Sequence, residues 1–188
     1  MVQTDFFATE EAAIDTISLD VHTVVVLFDD DRLLLLKRAG WKKLFPDRWT
    51  GLGGKVEPDE LGDLSAAARR ELFEETDLSP DEVTNLELRR TLFFRHPDEG
   101  LVCLLYFAGD VLSDRTPACN EGSLRWISTF ELSELDVIEN TARVLPLLVD
   151  DVRRRDHHVA SGLASYDERG RLLGIAWDSN ATGIIGVE

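Results

Sequence analysis

The sequence predicts one α+β domain, and three observations carry that reading. Short apolar runs rich in β-branched residues alternate with turn signals; two longer stretches have helical spacing; and 188 residues with 44% hydrophobic content suit one core with a short appendage. Residues of about 5 to 18 form an acidic amphipathic stretch and are expected as a short helix. Val21 to Phe28 and Arg32 to Arg38 flank Asp29-Asp30-Asp31, the pattern of a hairpin with well-buried strands. A basic loop from Ala39 to Arg48 leads to a short strand, Trp49-Thr50-Gly51-Leu52, and then to Gly53-Gly54.

A helix is expected over roughly 65 to 77. Strands follow near Glu87 to Phe94 and Leu101 to Val111, parted by His96-Pro97-Asp98-Glu99-Gly100, a turn signal. Leu124 to Ile127 reads as another short strand. Ile138 to Arg155 reads as a second helix, which Pro146 should kink or split. Val159 to Tyr166 and Arg171 to Trp177 alternate around Asp167-Glu168-Arg169-Gly170, a hairpin signal. That hairpin either extends the sheet or pairs with a second subunit, which would make a homodimer. The chain is therefore divided into a core of about 20 to 156 and a hairpin extension of about 157 to 188, within a single domain over 1 to 188.

Composition excludes several classes. A net charge of −16 argues against nucleic-acid binding, which uses basic surface. The absence of a run of roughly 18 apolar residues argues against a membrane span. The segment from Met1 to Asp5 lacks the basic start of a secretory signal, and a cytoplasmic location is expected. Cys103 and Cys119 lack metal-ligand spacing and are expected as buried or idle thiols. His22, His96, His157 and His158 show no partner pattern.

The chemistry is concentrated between Gly53 and Leu78, GGKVEPDELGDLSAAARRELFEETDL. Residues three and four apart share a helical face, so Glu71, Glu74 and Glu75 project together. Such a hexapeptide, Arg70 to Glu75, is also what a solvated face with an Arg70–Glu74 pair looks like. The upstream context favours a site. A surface helix needs no Gly53-Gly54 before it, nor Trp49 and Leu52 around that turn, and glycine permits positive φ or close approach to a ligand. Clustered carboxylates are relieved by a hard cation, and oxygen ligands suit Mg²⁺ or Mn²⁺ beside substrate phosphates. All four lysines, Lys37, Lys42, Lys43 and Lys55, lie just before or within this stretch, with Arg38 and Arg48. They make a local positive rim able to attract a polyphosphate.

At these residues the chain resembles the Nudix, or MutT-like, hydrolase superfamily, whose signature is G-x5-E-x7-R-E-U-x-E-E-x-G-U with U apolar. Gly54 and Glu60 fit the first spacing, Arg70 to Glu75 the central block, and Leu78 the last position. Nine residues separate Glu60 from Arg70 instead of seven, and Asp77 replaces the final glycine. A loop can absorb the first change, and Asp can adopt the left-handed conformation that the second position expects.

The resemblance implies a mixed β-sheet sandwiched between helices and the hydrolysis of a diphosphate bond in a nucleoside diphosphate derivative. It makes Glu71, Glu74 and Glu75 metal ligands together with the Gly54 carbonyl. Glu71 or Glu75 would act as base, and Arg70 would orient the cluster. Glu121, five residues before Trp126, is a further ligand candidate, and Glu60 a second-tier one. Lys55, Arg38 and Trp49 are assigned to the substrate, while Phe45, Trp41 and Phe94 are candidates to stack a base. A nucleoside triphosphate, including an oxidised purine one, is the first substrate expectation. Sugar nucleotides, dinucleoside polyphosphates and a non-catalytic ligand-binding or regulatory role are the alternatives. An isopentenyl diphosphate isomerase is disfavoured, because it would need a His/Cys metal site.

Overall fold

The computed structural model describes residues 17–96, 100–112 and 115–178. The helix expected over 5 to 18 lies almost wholly outside these residues, as do 97–99 of the turn and the tail from 179 onward.

Among the described residues, eight strands and two α-helices form the mixed sheet between helices expected above. Strand β1 (Leu19–Asp29) turns through Asp30, whose φ of 50° is tolerable for Asp, into β2 (Arg32–Arg38). β3 is only Trp49–Thr50, then come α1 (Leu64–Glu75), β4 (Val83–His96) and β5 (Gly100–Val111). β6 (Gly122–Ser128), α2 (Glu139–Arg154), β7 (Ala160–Tyr166) and β8 (Leu172–Trp177) complete the order. The strands run β3-β2-β1-β5-β4-β7-β8, with β6 pairing β2. β1 lies parallel to β5, from Leu19 opposite Leu101 to Phe28 opposite Asp110.

Strand β1 reads as a continuous apolar run because both of its faces are covered. Val21, Val25 and Leu27 join Ala67, Ala68 and Leu72 of α1 in one cluster. Val24, Val26 and Phe28 join Val144, Leu145 and Leu148 of α2 in another. Helix α2 is not split by Pro146. That residue is exposed, so the carbonyl left without an N–H partner one turn earlier lies at the wet side of the helix.

The C-terminal hairpin extends the chain's own sheet: β7 pairs parallel to β4, from Arg90 opposite Ala160 to Phe93 opposite Leu163. A buried ion pair ties it to the second helix. Arg90 donates Nε and Nη2 to Asp151 at 2.7 and 2.6 Å, and its guanidinium lies 4.9 Å from the centre of the Trp177 ring.

Candidate active site

The site begins where β1 and β2 separate. They are paired only from Leu27 to Asp29, and further back along β1 the segment 52–56 takes the place of β2. The N–H groups of Val25, Thr23 and Leu52 donate to Leu52, Gly54 and Val25 carbonyls at 2.6, 2.8 and 2.9 Å. Gly53 has φ of 121°, and a Cβ there would lie 2.5 Å from the Thr23 carbonyl oxygen. Gly54 is needed for a different reason: a Cβ would collide with the Glu71 carboxylate. One glycine shapes the turn and the other admits the acid.

Helix α1 is started by Asp63, whose Oδ1 accepts the Ala66 N–H at 3.0 Å. The two extra residues between Glu60 and Arg70 are thus absorbed in a turn with its own cap. Ala67, Ala68 and Leu72 point into the core, which turns Arg70, Glu71, Glu74 and Glu75 outward. Arg70 gathers the acids. Its Nε and Nη2 donate to Glu60 at 2.6 and 2.8 Å, and its Nη1 donates to Glu71 and Glu74, both at 2.9 Å. Glu60 is therefore a partner of Arg70 and, through the Glu57 N–H at 2.9 Å, a cap of the turn before α1. The Arg70 hydrogen bond, foremost, holds the Glu60 carboxyl down at about 2. These bonds make it a structural partner of Arg70 and of the turn.

Glu75 has the opposite electrostatics. Burial pushes its carboxyl up to about 7, with repulsion from Glu71 adding to the effect. The Gly53 N–H, donated to its Oε2 at 2.9 Å, and the charges of Lys42 and Arg38 only partly offset that rise.

The segment before β6 docks on the end of α1. Asn120 donates its N–H to the Glu75 carbonyl and its Nδ2 to the Glu74 carbonyl, both at 3.2 Å. Helix α1 stops at Glu75 with Thr76 extended, and Asp77 is not left-handed. The replacement of glycine has another use: Asp77 accepts Arg115 Nη1 at 2.8 Å and the Ala118 N–H at 2.9 Å. These contacts fasten the segment that carries Glu121, and Glu121 forms an ion pair with Lys42.

The predicted residues thus separate into two groups. Glu71, Glu75, Arg70 and Gly54 meet at one place, with Arg38 and Glu121 at its edge. Glu74 is turned outward on Arg70, its side chain 61% exposed. The Gly54 carbonyl accepts the Thr23 N–H at 2.8 Å, and its oxygen keeps a second lone pair; the lack of a Cβ at Gly54 also lets the Glu71 carboxylate approach closely. Lys55 reaches Asp20 at 2.5 Å, so its charge is engaged at the start of β1. Trp49 is buried in the cluster under α2, on the sheet face away from α1, and is a core residue. Phe94 packs on Tyr166 with ring centres 5.5 Å apart, also on that face. Lys42 was not singled out among the four lysines, because its position depends on a contact with Glu121 some eighty residues away.

Among the described residues, no three His, Cys, Asp or Glu side chains already surround a point where a metal could sit. The donor set nevertheless fits a hard divalent cation. Glu71 and Glu75 converge on the glycine turn, and the donors are oxygens.

This fold and this carboxylate-bearing helix define a class, the Nudix pyrophosphohydrolases. The NUDIX domain family model matches residues 19–148, and the chain belongs to that family. It is 46% identical over 68 residues to an m7GpppN-mRNA hydrolase of Danio rerio, a match covering 35% of this chain and only 22% of that protein. An isopentenyl-diphosphate Delta-isomerase of Halobacterium salinarum is 31% identical over 153 residues, 72% of this chain and 71% of that one. The oxidized purine nucleoside triphosphate hydrolase of Mus musculus is 27% identical over 130 residues, covering 69% and 79%. A solved MutT protein from Bacillus halodurans superposes with a TM-score of 0.62 at 25% identity, covering 85% and 97%. No helix among the described residues is long and apolar enough to cross a membrane.

Proposed function

We propose that the protein hydrolyses a diphosphate bond in a nucleotide, foremost a nucleoside triphosphate to monophosphate and pyrophosphate, with Mg²⁺ or Mn²⁺ as cofactor. The observation that carries this is the meeting of Glu71 and Glu75 at the Gly53-Gly54 turn, with the Glu75 carboxyl raised to about 7. In this reading Glu75 or Glu71 takes the proton from an attacking water, and a bound cation would lower the Glu75 carboxyl from its metal-free value. Glu71 and Glu75, with Glu121 and Glu74 from the rim, would hold the cation. When bound, it would supply polarisation of the phosphoryl oxygens and a water of lowered pKa.

Arg70 positions Glu71 and sets its approach to Gly54. Arg38 and Lys42, the cations that act on Glu75, are placed to draw the substrate's phosphates in. The loop between β2 and β3 presents Trp41, 69% exposed, and the half-exposed Phe45. Lys42 Nζ lies 4.8 Å from the Trp41 ring centre and pairs with Glu121, which puts that ring at the rim of the carboxylate site. A base stacked on Trp41 would have its phosphates on the side of Arg38 and Lys42.

The isomerase likeness is the one specific rival. Both thiols argue against it: burial pushes Cys103 and Cys119 each up to about 11, so neither supplies a thiolate at neutral pH. Incubation of the purified protein with a nucleotide panel, a sugar nucleotide, a dinucleoside polyphosphate and isopentenyl diphosphate, each with Mg²⁺, separates the readings. Release of monophosphate and pyrophosphate from a triphosphate is expected. No phosphorus product from any nucleotide, with the allylic isomer formed from isopentenyl diphosphate, would sink the hydrolase reading. Binding without turnover would show a regulatory domain. A cytoplasmic location without a nucleic-acid partner belongs to the same proposal, supported by the net charge of −16.

A further inference from the structure

Two consecutive arginines of β4 turn to the same side of the sheet. The register of β4 against β5 shifts between Leu88 and Arg90, and a bulge there breaks the strict alternation of faces. Arg89 and Arg90 are both buried, and they reach the end of α2 and the turn after it. Arg90 fills one edge of its guanidinium, Nε and Nη2, with the two oxygens of Asp151. The same edge of Arg89 is not filled. Its Nη1 donates to the Asp156 carbonyl at 2.5 Å and its Nη2 lies 3.1 Å from Glu87 Oε2, but its Nε has no acceptor among the described residues. A buried donor is normally bonded, and the complement of that edge is a pair of anionic oxygens. Glu87 does not supply the pair, because the same Oε2 is engaged by His157 Nδ1 at 2.7 Å.

Arg89 lines a cleft of about 410 Å³ between β4, the end of β5 and the end of α2, with Glu87, Asp110, Arg155 and His157 among its walls. That volume suits a small molecule. Arg155 closes α2 in the left-handed conformation, with φ of 54°. Its neighbours Arg153 and Arg154 pair with Asp31 and Asp150, whereas the exposed Arg155 makes no ion pair with any described residue. The Glu87 side chain is 43% exposed, so it has room to leave Arg89 while keeping His157. Asp110, held by Asn85 Nδ2 at 2.7 Å, and the carboxyl end of α2 add negative potential, which disfavours a polyanion. We propose that this cleft binds a small ligand through one anionic group, a phosphate monoester or a carboxylate, whose two oxygens take the Nε–Nη2 edge of Arg89 beside Arg155. None of these residues belongs to the carboxylate site, and the two sites are separable by mutation.

Heteronuclear NMR of the arginine Nε–H groups in the full chain, in EDTA, tests the inference with sodium phosphate, adenosine monophosphate and succinate as probes. The Arg89 Nε–H, assigned as the signal missing from Arg89→Lys, should move and saturate with at least one of them. Saturation by the phosphate probes marks a phosphate site, and saturation by succinate a carboxylate site. The ring signals of His157, followed in parallel, give the same reading if Arg89→Lys does not fold. Glu87→Gln removes the competing carboxylate and should tighten binding several-fold, a gain that a purely structural Glu87–Arg89 pair does not give. Arg155→Ser should weaken binding several-fold, and Glu75→Gln should leave it unchanged. No saturable shift with any probe overturns the proposal. So does equal binding by wild type, Glu87→Gln and Arg155→Ser, which would indicate diffuse charge, or a shift abolished by Glu75→Gln, which would put the anion at the carboxylate site.

Discussion

The two faces of the sheet each carry an arginine among acids, and the two networks are built to opposite ends. Under α2, Arg90 meets one carboxylate, Asp151, in a two-point contact, and both residues are buried. Charge is matched one to one and nothing is left over. On α1, Arg70 is shared among Glu60, Glu71 and Glu74, and Glu75 stands behind them with its carboxyl pushed up to about 7 by burial. Negative charge there exceeds its partners. A closed pair holds elements together; an unbalanced cluster of oxygen donors is the kind of site a cation would relieve, which is the role proposed for it above.

The largest effects should come from cutting each network once. Glu75→Gln removes the proposed base and a ligand oxygen, and it should lower kcat by about 10²- to 10⁴-fold, measured as pyrophosphate release at saturating Mg²⁺, with the fold intact by circular dichroism. Asp151→Ala should do the reverse. It leaves the Arg90 charge buried without a partner, which costs about 3–5 kcal/mol, read in urea unfolding, while turnover per folded molecule stays near wild type. Were Asp151→Ala to abolish turnover at full folding, the division between the two faces would be wrong.

Next in size is a pH effect on the metal-free protein. The Glu75 carboxyl stands at about 7 in the folded chain against an ordinary 4.5. Between those values the folded state keeps a proton that the unfolded state has lost, so stability falls as pH rises through the window and the loss is complete above it. Glu75→Gln should therefore be more stable than wild type at pH 8 by about 1–3 kcal/mol, and nearly equal to it at pH 4. Melting curves in EDTA at the two pH values measure this. Added Mg²⁺ should shrink the difference by stabilising the wild type, and an unchanged difference would count against Glu75 as a ligand.

How much of this was legible depended on the range of the interactions. The first hairpin, α1 with its acidic face, and the glycine turn follow from spacing within a few residues, and the structure holds them within two or three positions. Pro146 misled because local chemistry says that proline breaks a helix, whereas its exposure lets the helix continue. Trp49 misled by parity: a two-residue strand gives too little alternation to tell which sheet face a side chain takes, and it takes the α2 face. Lys42 and the Glu60 clamp on Arg70 depend on loop docking, and the Arg90–Asp151 pair on a strand and a helix that meet across 61 residues. No local pattern announces them. Asp77 is the instructive case. As a departure from a family pattern it invites an account in terms of backbone φ, but its actual use is a side-chain contact to the segment that carries Glu121.

That contact yields the smallest prediction and a sharp one. Asp77→Gly restores the family residue, so an argument from backbone preference alone expects a gain in stability. The structure expects a loss, because Arg115 and the Ala118 N–H both give up a carboxylate acceptor. The pair is solvent-exposed, which keeps the cost small. The functional consequence should reach the site through the loop and not through α1. Glu71 and Glu75 keep their places on the helix, while Glu121 loses part of its anchorage beside Lys42. The apparent Mg²⁺ requirement should therefore rise a few-fold, with kcat at saturating metal nearly unchanged. A titration of activity against Mg²⁺ reads both quantities. A fall in kcat with no change in metal requirement would mean that Asp77 acts through the end of α1, and Glu121 would then lose its claim as a ligand.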